Sequence, residues 1–334
     1  RVEHLWRYTD PAVLTPTGAE SAAWTQRPTH PAGADSLPRV LADKLAANDV
    51  SGVFFAAPNG QTRVEITSDF ERSGATLLDL HEALRAGHEA ARKCLGQLIP
   101  GRVSPRGSGK FEALNRGLWT TGAFIHVPRG VRIEKPVHLW LSSPDSAEMP
   151  FLATRLLVIL EEGAELTLID ECVGGGCGLR LNSVLELFVG PAGRLRHVTV
   201  QRLEKTVNYH VTQRVSVDRD ANLLTAIVSL GAAVTKSDFG SHLVGPGANV
   251  ELVGFLLGEG EQKFDHHTVH DHQAGHTYSN LDFKAVLKDR SRSAYTGLIR
   301  IEKDAGETEA YQENRNLLLN EGAKAESIPE LEIL

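Results

Sequence analysis

From Ala113 to Leu334 the chain is a succession of short runs of Val, Ile, Leu and Thr, in which apolar and polar positions alternate and Gly or charged pairs intervene. Alternation of this kind marks strands with one buried face, and no helical period of roughly 12 residues or more interrupts it. A small-residue turn followed by an alternating strand recurs at Gly163-Ala164-Glu165-Leu166, Ala192-Gly193-Arg194-Leu195, Asp220-Ala221-Asn222-Leu223 and Gly247-Ala248-Asn249-Val250. The alanines at 164, 192, 221 and 248 are spaced by 28, 29 and 27 residues, with fainter copies at Ala274-Gly275 and Gly322-Ala323. A unit of ~27 residues holds two strands of ~8–10 residues and two turns, and buries its apolar face only by stacking on its neighbours. The pattern therefore predicts a mainly β fold, a parallel β-helix of roughly eight rungs. A β-sandwich or jelly roll is the alternative, but tight two-residue hairpin turns are scarce after residue 110.

The first hundred residues differ. Ser36 to Asn48 has helical apolar spacing at Leu37, Val40, Leu41 and Leu45. Ser51 to Thr67 reads as strand, turn and strand around Asn59-Gly60. Thr76 to Leu98 reads as two short helices broken at Gly87. This divides the chain into an irregular arm over 1–34, whose Trp6, Tyr8 and Trp24 are expected to pack on the body, a small α/β region over 35–103 and the β-helix over 104–334.

Composition narrows the function. Lys plus Arg is 35 against 42 Asp plus Glu, a formal charge of −7, which disfavours a general nucleic-acid binder. No apolar stretch of ~18 residues is present, so no membrane span is expected. Three cysteines and no secretory pattern point to a reducing, cytoplasmic setting.

Five of the 14 histidines fall between His266 and His276. On a strand, His266, His270 and His272 share one face and His267 takes the other, so the three are candidate ligands for Zn, Fe or Cu. The competing reading is a solvent-facing polar strand whose imidazoles stack from rung to rung. Cys172 and Cys177 flank a glycine loop, and Cys172, at a strand end, is expected to be exposed, its reactivity dulled by neighbouring carboxylates. Cys94, in a helical apolar setting, is expected in the core. Pro105 to Phe111 departs from the phosphate-loop pattern at Ser104 and Phe111. A carbohydrate-active β-helix enzyme or a histidine-metal enzyme stays as the alternative to a scaffold.

The chain resembles the SufB/SufD family of iron–sulfur cluster assembly proteins. The residues that carry the resemblance are Lys110-Phe111-Glu112-Ala113-Leu114-Asn115, Gly122 to Val131, Leu156 to Thr167, Thr277-Tyr278-Ser279, Tyr295 to Ile299, Asn316 to Leu319 and Ser327 to Ile333. Trp6-Arg7-Tyr8-Thr9 is similar to the amino-terminal arm of the SufD branch. The resemblance implies a right-handed parallel β-helix core in a non-catalytic scaffold. It implies pairing with a SufB-like subunit, or a homodimer in its place, and a transient iron–sulfur cluster at the joint. It also implies a SufC-type ATPase docked on a carboxy-terminal helical domain, which the family carries after the strand matching Pro329 to Ile333 and which this sequence does not include. Asp170-Glu171-Cys172 aligns with the Glu-Gly-Cys of SufB proteins, which implies sulfur acceptance at Cys172.

Overall fold

The computed structural model describes residues 6–17, 36–58, 60–101, 109–143, 150–176 and 178–334. About 53% of the chain is strand and 13% helix. The strands are β1 (Gly52–Ala56), β2 (Thr62–Ile66), β3 (Thr76–Asp79), β4 (Thr121–Val127), β5 (Val137–Ser143), β6 (Phe151–Leu160), β7 (Glu165–Gly174), β8 (Arg180–Val189) and β9 (Arg194–Leu203). They continue as β10 (Asn208–Val217), β11 (Asn222–Ser229), β12 (Val234–Leu243), β13 (Asn249–Gly258), β14 (Lys263–His272), β15 (Tyr278–Leu287), β16 (Arg292–Ile301), β17 (Glu309–Leu318) and β18 (Lys324–Ile333).

From β4 onward the chain alternates between two sheets. One runs β17-β15-β13-β11-β9-β7-β5-β1-β2 and the other β18-β16-β14-β12-β10-β8-β6-β4-β3. All ladders are parallel except the opening pairs β1–β2 and β3–β4, which are antiparallel. The result is a parallel β-solenoid of about seven turns.

The registers bring equivalent positions into line, so Leu166, Leu195, Leu223 and Val250 stack between the sheets. The repeat residues Ala164, Ala221 and Ala248 are at most 1% exposed. Each lies where a turn tucks under the next strand, and only a small side chain fits there. Asp220, one residue earlier, takes φ 56°. Gly231 is required more strictly, because a Cβ there would lie 1.9 Å from the Leu203 carbonyl oxygen.

The amino-terminal elements cover the outside. Helix Arg39–Ala46 buries Leu41 against Val50, Val53 and Phe55. Helices Leu80–Arg85 and Glu89–Cys94 pack Leu80, Ala83 and Ala91 on Phe124 and Leu157. The sequence pattern reads Thr76–Asp79 as helix, but it is strand β3. Leu77 pairs beside Ile125, and Asp79 then caps the helix by accepting from the N–H groups of His81 and Glu82. Helix Lys110–Leu118 lies inside the stretch expected to be wholly β, anchored by Phe111 and Asn115, whose amide donates to the carbonyls of Thr154 and Asn182.

Candidate functional site

β7 is straight through Cys172, and its inward residues are Leu166, Leu168, Asp170 and Cys172. This corrects the expectation of an exposed thiol. Cys172 sits within the strand, 7% exposed, because strand periodicity turns it between the sheets together with Leu168. Cys177 lies outside the described residues, so the pairing considered for the two thiols does too. Cys94 is half-buried against the Leu80–Phe124 cluster.

Cys172 and Asp170 border a cavity of about 50 Å³ between the sheets, lined by apolar side chains such as Leu139, Leu156 and Leu185 and by Thr154 and Ser183. A hydrogen-bond chain ends on the sulfur: Thr154 Oγ1 donates to Ser183 Oγ at 2.9 Å, Ser183 bonds the Tyr209 hydroxyl, and Tyr209 bonds Cys172. Burial pushes the Cys172 thiol well up, with Asp170 adding to the shift. Burial, then the charge of Glu171, pushes Asp170 up to about 7. The thiol is thus held neutral, and the carboxyl beside it changes charge near neutrality.

On the outside of the same strand, Glu171 Oε2 meets His138 Nε2 at 3.1 Å, and Arg202 Nε donates to its Oε1 at 2.7 Å. Lys44 Nζ lies 3.2 Å from His138 Nδ1, which ties helix Arg39–Ala46 to the sheet. These contacts hold β7 in place behind the thiol. Tyr209 was not legible as a site residue, since it reaches Cys172 from the facing sheet, 37 positions later in the chain.

His266, His270 and His272 do share a face of β14, with His267 opposite, but the face is the interior rather than solvent: the three are at most 2% exposed. Burial holds His266 and His270 down to about 3 and His272 to about 4. His266 Nδ1 is hydrogen-bonded to Ser237, and His272 reaches Thr277 at 2.7 Å and Ser279 at 2.9 Å. Along an extended strand, His266 and His270 stand roughly 13 Å apart. The strand spreads the three imidazoles out, and among the described residues no three of His, Cys, Asp and Glu converge closely enough to hold a metal ion.

These features define a parallel β-solenoid with a thiol buried between its sheets. Residues 143–334 match the family model described as SUF system FeS cluster assembly, SufBD core domain. The chain belongs to the SufBD family. It is similar to an iron-sulfur cluster assembly SufBD family protein of Staphylococcus epidermidis, 24% identical over 300 residues, covering 87% of this chain and 63% of that protein. It is also similar to the iron-sulfur cluster assembly protein SufB of Bacillus subtilis, 25% identical over 301 residues with the same coverage of each chain. The chain thus spans 63% of the length of these relatives. No described helix is long and apolar enough to cross a membrane.

Proposed function

We propose that the protein is a scaffold subunit of an iron–sulfur cluster assembly complex, of SufD-like character, without a reaction of its own. It pairs with a SufB-like subunit, or with a second copy, and works with a SufC-type ATPase that docks on the helical segment the family carries after the last strand. The match of the solenoid itself to the SufBD core supports the family part of this reading.

The two stacked parallel sheets of the solenoid suit pairing by strand addition. Cys172 is the sulfur acceptor in this reading, and a nascent cluster is held transiently at the joint; both are assembly intermediates rather than resident cofactors. The protein acts in the cytoplasm.

The test is co-expression of the tagged chain, with its carboxy-terminal continuation, beside a SufB-type subunit and a SufC-type ATPase. Stoichiometric co-purification, weakened by Leu331→Asp and Ile333→Asp, is the expected result. A chain recovered alone and monomeric overturns the pairing. Full sulfur loading of Cys172→Ser overturns the acceptor role.

A further inference from the structure

Among the described residues, the strands of the solenoid turn one carboxylate inward. Among the inward-pointing residues of β4 to β18, Asp170 is the one carboxylate and Cys172 the one thiol, and no Lys or Arg points inward to balance them. They stand two residues apart on β7 and border the same small cavity. We infer that Asp170 is a positioning residue whose charge adds to burial in holding the Cys172 thiol protonated, so that the sulfur ionises more readily when the carboxylate beside it is neutralised. The functional weight of this inference rests on the reading of Cys172 as sulfur acceptor.

The reason is electrostatic. Two acids two residues apart on one inward strand face, without a compensating cation beside them, cannot both ionise cheaply. The other groups near the sulfur do not supply that cation. Tyr209, from the facing sheet, is itself held neutral by burial. Glu171 points outward and is engaged by Arg202 and His138. Arg155 also borders the cavity, but its Nε donates to Asn115 and its Nη1 to Glu186 on the outer side. Asp170 therefore sets the charge of the chamber, and it changes charge near neutrality. A buried thiol beside a carboxylate is protected from oxidation and alkylation until a cationic donor offsets that charge.

The experiment uses the chain with Cys94→Ser and Cys177→Ser, which leaves Cys172 as its one thiol. The infrared S–H band reports protonation without any reagent having to enter. The rate of Cys172 modification by methyl methanethiosulfonate, followed by mass spectrometry, reports reactivity. With Asp170 present, the logarithm of the rate climbs with pH and shows a shoulder near the ionisation of Asp170 at about 7. Asp170→Asn removes the shoulder, shifts loss of the S–H band to lower pH and raises the rate at mildly alkaline pH by roughly tenfold. Asp170→Glu restores the shoulder. Superimposable S–H titrations of the parent and Asp170→Asn would overturn the inference. If instead the titration moves as expected but Cys172→Ser still loads sulfur, the electrostatic coupling stands and the acceptor reading fails.

Discussion

Thr9 Oγ1 on the amino-terminal arm donates a 2.6 Å hydrogen bond to Asp265 Oδ2, across 256 positions of sequence. The same carboxylate accepts from Lys236 Nζ at 2.9 Å, and Lys236 in turn lies over the Trp6 ring at 5.6 Å. Trp6 stacks on His210 and lies tilted against Phe111, and Tyr8 hydrogen-bonds Glu326 on the last strand. Residues 6–17 are therefore a strap across the outside of the even-numbered sheet. Lys236→Ala would strip a buried carboxylate of its cation and cost about 3–5 kcal/mol, whereas Thr9→Val, which removes one hydrogen bond, would cost about 1–2 kcal/mol. Equilibrium urea unfolding of the two variants checks the order.

Mild acid should loosen the solenoid through its buried histidines. Burial holds His197 at about 4 and His266 and His270 at about 3, while an unfolded imidazole titrates near 6.5. Between those values the unfolded chain takes up protons that the folded chain refuses. Stability is complete above about pH 6.5 and falls as pH drops toward 3–4. Melting temperatures at a series of pH values should fall through this window, and His270→Gln should flatten the slope.

Asp170 acts in the opposite sense. Its folded pKa is raised to about 7, so its contribution is fully present below the unfolded carboxylate value near 4 and is lost as pH rises through 7. Asp170→Asn should raise the melting temperature by a few degrees at about pH 8 and leave it unchanged at about pH 4. A uniform shift at both pH values would count against a buried carboxylate as the cause.

Close approach fixes two glycines. A Cβ at Gly254 would stand 2.0 Å from the Phe283 ring, and one at Gly231 would meet Leu203 backbone. Gly254→Ala can be relieved by movement of a side chain and should cost about 1–3 kcal/mol. Gly231→Ala requires the backbone itself to shift and should be the more damaging, most simply seen as a lower soluble yield and melting temperature.

Much of the architecture was legible in the sequence. The spacing of Ala164, Ala192, Ala221 and Ala248 announces stacked rungs, since a solenoid turn needs small residues at a fixed period and strand alternation marks its inner face. The helical spacing of Leu37, Leu41 and Leu45 anticipated the helix at Arg39–Ala46. Thr76–Asp79 was misread because its apolar residues suit a helix as well as a strand, and only pairing with β4 decides between them. The common face of His266, His270 and His272 follows from period two, but period two does not say whether that face meets water or the core.

What the sequence determined by itself is periodic: strands, rungs, the family, and which residues of one strand stand side by side. Those are local relations, set by backbone geometry within a single strand or turn. The tertiary structure decided everything that depends on the second sheet: that Cys172 and the histidines lie inside, that Tyr209 bonds the thiol, and that Asp170 has no inward cation. Such facts turn on burial and on contacts between distant rungs, because the energy of a charge depends on what surrounds it in space rather than on its neighbours in the chain.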